Sequence, residues 1–151
     1  MRRLFVVMIF FIFSASAWAA DNKGLITKQS AHSVKVTLDR LENILRKKGV
    51  TIVKRWSHDK GGKKAGIPLR ATELLIFGNP KLGTHFFTSN QTAGIDLPMK
   101  ALAWEDKDGK IWLTYNDPQY IADRHDIKDR ADIVKKMSEA LDNMTTAATG
   151  K

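Results

Sequence analysis

Residues 74–118, LLIFGNPKLGTHFFTSNQTAGIDLPMKALAWEDKDGKIWLTYNDP, carry most of the signals that decide the fold. The apolar run over residues 73–77 predicts a short strand, and Gly78-Asn79-Pro80 follows it at once. Asn is a preferred N-cap and Pro is favoured at the first helical position, so a helix should begin here. Residues 99–105 and 110–115 flank Asp-Lys-Asp-Gly, which predicts a β-hairpin with positive φ at Gly109.

Two long amphipathic helices are predicted on either side of this block. The first has apolar residues on one helical face, begins at the N-cap Ser33 and ends at Gly49 in the C′ position. Its face consists of Val34, Leu38, Leu41 and Leu45. The second helix presents Ile133, Met137, Leu141 and Met144, and we expect its last residues, beyond 146, to fray.

The remaining segments complete the order of elements. Residues 24–29 and 50–56 read as strands, residues 57–69 as a Gly-rich basic loop, and Asp117-Pro118 as the start of a short helix that reaches about residue 124. The hairpin arms bring Trp104 and Trp112 into a position to pack against each other. The sequence therefore predicts an α+β fold of the β-α-β4-α type, in which two long helices cover one face of an antiparallel sheet and a short helix is inserted.

Four motifs in the middle of the chain resemble the domain of unknown function 302 family. They are FGNPK (77–81), AGIDLP (93–98), WEDKDGK (104–110) and YNDP (115–118), and the resemblance extends over about residues 25–145. It implies a fold similar to one repeat of the TATA-box-binding protein, often as a homodimer. It implies no chemistry, because the activity of the family is unsettled.

The N-terminus has the three parts of a secretory signal peptide. Arg2 and Arg3 precede an unbroken apolar run over residues 4–13, and Ala17-Trp18-Ala19 places small residues before a cleavage site. An uncleaved anchor would need about 20 apolar residues. We therefore expect residues 1–19 to be removed and residues 20–151 to form a single periplasmic or secreted domain without a membrane span.

Composition excludes several classes of site. The chain has no cysteine, so disulfides, thiolate metal sites and a cysteine nucleophile are excluded. The net charge of +9 would fall to +7 without Arg2 and Arg3, and the basic residues are interspersed with acidic ones rather than clustered. With export, this pattern gives no reason to expect a nucleic-acid partner.

The candidate site residues are His58, Asn79, Lys81, Asp96 and His125. His58 and His125 could converge with Asp96 or Glu73 as metal ligands or as an acid–base pair, or each could bond a backbone carbonyl or cap a helix. The junction at Asn79 and Lys81 could hold an anion at helix amides, although capping alone explains these residues. Asp96 could face a cleft or form a turn.

The sequence predicts an exported, non-enzymatic binding module that binds a small molecule, a metal or an envelope protein, and the family resemblance implies that it is a homodimer. The alternative is a histidine-dependent metal-binding or redox accessory enzyme that uses His58 and His125. No cofactor can be named from the residues.

Overall fold

The computed structural model describes residues 23–150, and the predicted signal peptide lies outside them. The elements follow in the order β1 (Leu25–Ser30), α1 (Val34–Lys47), β2 (Thr51–Ser57), α2 (His58–Lys64), β3 (Thr72–Gly78), α3 (Pro80–Ser89), a 3₁₀ helix (Gln91–Ile95), β4 (Met99–Glu105), β5 (Ile111–Asn116), α4 (Pro118–Arg124) and α5 (Ala131–Thr149). None of the helices between residues 23 and 150 combines the length and the apolar character that a bilayer crossing requires.

The five strands form one antiparallel sheet in the order β1-β5-β4-β3-β2. Side chains alternate between the two faces of a strand, and the buried residues of the central strands alternate accordingly. The inner face carries Leu75, Phe77, Met99, Ala101, Ala103, Leu113 and Tyr115, all of them buried. The predicted α+β architecture, with its β-α-β4-α order, is confirmed.

Helices α1 and α5 cover this inner face, as the periodicity predicts. Leu38, Leu41 and Leu45 of α1 have no exposed surface, and Met137, Leu141 and Met144 of α5 are buried. Ser33 caps α1 by accepting a hydrogen bond from the amide of Val36 at 3.3 Å. The apolar stripes of the two helices and the inner face of the sheet therefore share one core.

The outer face of the sheet, on the side opposite α1 and α5, is also apolar at its centre. Its apolar residues are Trp56, Leu74, Ile76, Leu102, Trp104 and Trp112, and the register places Lys54, Thr72, Lys100 and Thr114 on the same face. Trp104 and Trp112 are direct cross-strand partners, and their rings stack with centroids 6.3 Å apart. Trp56 has 54% of its surface exposed, which makes it the most accessible aromatic residue of this face.

Two local predictions differ from the structure. Residues 58–64, expected to form a loop, are the helix α2, because Ser57 accepts a hydrogen bond from the amide of Lys60 and Asp59 occupies the first turn despite two glycines. The end of α5 is regular rather than frayed. The guanidinium of Arg40 donates to the carbonyl oxygens of Ala147, Ala148 and Gly150, which satisfies groups that a free helix end leaves unpaired.

Candidate functional site

An apolar cavity of about 400 Å³ lies at the end of the sheet where β3 ends and β4 begins. Its walls come from the end of α1, the start of β2, helix α3 and the second half of α5. The apolar side chains of the lining belong to Leu45, Val50, Val53, Phe77, Pro80, Leu82, Phe87, Leu97, Pro98, Met99, Met137, Ala140, Leu141 and Met144. This volume and this composition are typical of a small-molecule binding site. We call this space the α3 cavity.

The sequence Gly78-Asn79-Pro80 places α3 against the cavity. A side chain at Gly78 would bring its Cβ to 3.3 Å from the Cβ of Pro98, so glycine allows β3 to end close to the start of β4. The side-chain oxygen of Asn79 then accepts a hydrogen bond from the amide of Lys81 at 3.0 Å, and Pro80 begins the helix. The chain therefore turns from strand to helix without a loop.

The polar residues that line the α3 cavity are few. They are Lys48, Thr51, Asn79 and Thr84. The oxygen of the Asn79 side chain is used by the helix cap, which leaves its amide nitrogen to donate to a ligand. The amides of Leu82 and Gly83 donate to the carbonyl oxygen of Asn79, at 2.9 Å each, so the first turn of α3 offers no unpaired amides to an anion.

A separate polar network joins the 3₁₀ helix to α4. The ring of His125 lies between Asp96 and Thr92: Nε2 is 2.7 Å from Asp96 Oδ2, and Nδ1 is 2.8 Å from Thr92 Oγ1. Arg124 donates to the other carboxylate oxygen of Asp96 at 3.2 Å, and Asn90 donates to the carbonyl oxygen of His125 at 2.8 Å. Asp96 and His125 are only 9% and 7% exposed, so water offers them little alternative bonding.

Both ring nitrogens of His125 are engaged in this network. The Thr92 hydroxyl has a single proton and two neighbouring acceptors, Asn90 Oδ1 and His125 Nδ1, each at 2.8 Å. Whichever of them receives that proton, Nδ1 keeps Thr92 as its partner and Nε2 keeps Asp96. A metal ion could bind His125 only if one of these bonds were broken.

The structure brings Asp96 and His125 together but places His58 elsewhere. β3 pairs with the end of β2 at Glu73 and with the start of β4 at Phe77. These positions are four residues apart, about 13 Å along an antiparallel strand. His58, which follows β2 directly and is exposed, therefore lies at the opposite end of the sheet from the start of β4.

Glu73, the other acidic residue considered beside the histidines, belongs to an ion-pair network. Arg55 donates to Glu73 Oε2 and to Asp39 Oδ1, both at 2.6 Å, and thereby ties α1 to β2 and β3. Hydrogen bonds from Lys35 and then from Arg55 hold the pKa of Asp39 below its ordinary value. Within residues 23–150 no group of three or more His, Asp or Glu side chains is placed to hold a metal ion.

Of the five candidate residues, only Asn79 lines the α3 cavity. Lys81 is exposed in the first turn of α3, and its backbone amide is taken by Asn79. Sequence reasoning missed the methionines of the cavity wall, because Met137 and Met144 read as ordinary core positions of α5. The signal that could have indicated the cavity is the use of flexible methionine at positions 99, 137 and 144, where branched side chains would pack a core more tightly.

We expect His125→Ala to destabilise the domain by about 2 kcal/mol, because it removes bonds to a buried carboxylate and leaves Asp96 with one partner fewer. His58→Ala is the matched control, since the same substitution at an exposed position should change the free energy of unfolding by no more than about 0.5 kcal/mol. Urea unfolding followed by tryptophan fluorescence measures both. Equal midpoints for the two variants would contradict a structural role for His125.

The chain is similar to two proteins from Brucella. It is 42% identical over 130 residues to proteins called fluoride-specific ion channel FluC 1 from Brucella suis biovar 1 and from Brucella abortus biovar 1. The match covers 85% of this chain but 51% and 48% of those proteins, so the chain spans about half of their length.

A solved structure shares the fold. The crystal structure of an uncharacterized conserved DUF302 protein from Bacillus stearothermophilus matches with a TM-score of 0.75, over 83% of this chain and 98% of that one, at 17% sequence identity. The family model described as Domain of unknown function DUF302 matches residues 26–144. This range contains β1 to β5 apart from Leu25, the first residue of β1. The chain belongs to the DUF302 family.

Proposed function

We propose that this protein is a non-enzymatic binding module that holds a small apolar molecule in the α3 cavity. The observation that carries the proposal is the cavity itself: about 400 Å³ of space beside a well-packed core, lined by apolar side chains with a few polar groups. The space opens to solvent, because Val53 and Phe87 in its lining are 56% and 37% exposed. A concave, mostly apolar surface of this size with a few polar groups is the usual form of a small-molecule site, and this form supports an apolar occupant.

The lining suits an apolar ligand for energetic reasons. Burial contributes about 25 cal/mol per Å² of apolar surface, so a ligand that buries about 300 Å² gains about 7.5 kcal/mol before the costs of ordering. Met99, Met137 and Met144 can change rotamer to follow the outline of the ligand. Reversible binding with micromolar or weaker affinity is consistent with these magnitudes.

Filling the cavity should abolish binding without unfolding the protein. Ala140 is partly buried and lines the cavity, so Ala140→Phe places a ring in the space of the ligand. We expect the affinity for the neutral fluorescent probe N-phenyl-1-naphthylamine to fall by about tenfold or more, the equivalent of at least about 1.4 kcal/mol. The measurement is a fluorescence titration.

Ala131→Phe provides the control for that titration. It introduces the same side chain at an exposed position of α5 outside the cavity lining, and it should leave probe binding unchanged. Unaltered binding by Ala140→Phe would contradict the proposal, as would an absence of binding by the unmodified protein.

The alternative of a histidine-dependent metal-binding or redox enzyme draws little support from the geometry. It requires His58 and His125 to share a site, whereas the strand register separates them and His125 already bonds Asp96 and Thr92. A metal ion is also a less suitable ligand than an apolar molecule for the α3 cavity, whose lining contains no His, Asp or Glu.

The module would act outside the cytoplasm. This part of the proposal rests on the signal-peptide pattern of residues 1–19, with its two arginines, apolar run and Ala17-Trp18-Ala19 cleavage site. N-terminal sequencing of protein recovered from the extracytoplasmic fraction should begin at Ala20. Material in that fraction that still begins at Met1 would contradict export by cleavage.

The module would also act as a homodimer that pairs through the outer face of the sheet. The support is the apolar centre of this face, with Trp56 exposed and Trp104 stacked on Trp112, since contiguous exposed apolar surface commonly marks an interaction site.

Trp56→Glu should convert the dimer to a monomer in light-scattering measurements because it buries an unpaired charge at the interface. Ile95→Glu is the control, since Ile95 is 73% exposed but lies in the 3₁₀ helix and not on the outer face. A monomeric wild type, or a dimeric Trp56→Glu variant, would contradict pairing through this face.

A further inference from the structure

The charges at the α3 cavity have one sign. Lys48 is the single charged residue in its lining, and no aspartate or glutamate lines it. An apolar interior cannot hold an isolated charge without a large cost, so any charged part of a ligand must remain at the rim. The charged side chain that could contact such a group is that of Lys48, which is a cation.

The fold pins Lys48 at this position. It is the C-cap of α1, and the chain reverses at Gly49, whose φ of 72° is the left-handed conformation that glycine favours. The amide of Gly49 donates to the carbonyl of Arg46, and the amide of Val50 to that of Leu45, at 3.0 Å each. This is the Schellman arrangement. Leu45 and Val50 themselves line the cavity, so the backbone of Lys48 is held between two of its wall residues.

The ammonium group of Lys48 is available to a ligand. Its side chain is exposed, and within residues 23–150 no ion pair or side-chain hydrogen bond to it is formed. Arg46, two residues earlier, is by contrast bonded to Glu42 at 2.7 Å. The C-terminus of α1 does not need Lys48 for its stabilisation, because Lys47 supplies a cation in the last turn.

We infer that the ligand of the α3 cavity is an anionic amphiphile: an apolar chain that ends in a carboxylate, such as a free fatty acid. The chain lies in the cavity, where the methionines adapt to it, and the carboxylate stays at the rim beside Lys48. This inference rests on the proposed function and adds the chemical class of the ligand. A neutral chain lacks the charge interaction, and a cationic one is repelled by Lys48.

Three probes of equal chain length test the inference: dodecanoate, dodecanol and dodecylammonium, each below its micelle concentration and at 0.15 M salt. Displacement of N-phenyl-1-naphthylamine measures their affinities for the purified protein. We expect dodecanoate to bind most tightly and dodecylammonium most weakly. Lys48→Gln should lower the affinity for dodecanoate by about fivefold, which is the upper range for an exposed ion pair. The same substitution should change the affinity for dodecanol by less than about twofold.

Two further variants separate charge from structure. Lys48→Arg keeps the charge and should preserve the preference for dodecanoate. Lys47→Gln removes the same charge from the adjacent exposed residue, which does not line the cavity. Its effect on dodecanoate binding should remain below about twofold, because the Lys47 side chain does not line the cavity and salt at this concentration weakens attraction at longer range.

The outcomes distinguish the ligand class from the cavity itself. If dodecanol binds as tightly as dodecanoate, or if Lys48→Gln leaves the preference unchanged, the inference is overturned while binding in the cavity stands. Tighter binding of dodecylammonium overturns it as well. If neither the fluorescent probe nor any of the three alkyl compounds binds, the proposed function fails together with the inference.

Discussion

The structure depends on the need to cover one face of a five-stranded antiparallel sheet. Each buried residue on the inner face of β3, β4 and β5 requires an apolar partner, and α1 and α5 supply these partners with their helical stripes. The two helices must also pack against each other, because both lie on the same face. The hydrogen bonds from Arg40 of α1 to the last carbonyl oxygens of α5 connect the helices at the point where that layer ends.

Most of this architecture could be read from the sequence because it is encoded locally. A leucine stripe between Ser33 and Gly49 defines α1, and Asp106 to Gly109 defines the hairpin, without knowledge of any distant residue. The two wrong predictions concern segments whose structure depends on opposing local preferences or on a distant residue. Gly61 and Gly62 disfavour a helix, yet the cap at Ser57 and the charges at both ends of α2 are sufficient to form one. The order at the end of α5 depends on Arg40, about a hundred residues earlier.

The candidate site was less predictable because it is assembled from separate elements. The wall of the α3 cavity comes from α1, β2, β3, α3, β4 and α5, and none of these segments carries a recognisable binding motif. Polar residues attracted attention in the sequence, but most of them serve the fold: Asp96 and His125 join two short helices, and Asn79 caps α3. His58 was grouped with His125 by residue type, whereas the strand register, which only the complete sheet defines, puts them at opposite ends.

Helix α3 is held at both ends. Its start is fixed by the Asn79 cap and the close approach of Gly78 to Pro98, and its end is fixed by the bond from Ser89 to Asp129 and by Asn90, which donates to the carbonyl of His125. A helix anchored in this way is a poor lid, so the backbone around the cavity should keep the same outline whether it is filled or empty. Adaptation is then left to side chains, chiefly the three methionines. Under the proposed function, a site with a fixed backbone and adaptable side chains would select ligands by their volume rather than by their exact shape, and would accept a series of related molecules up to a limit of size.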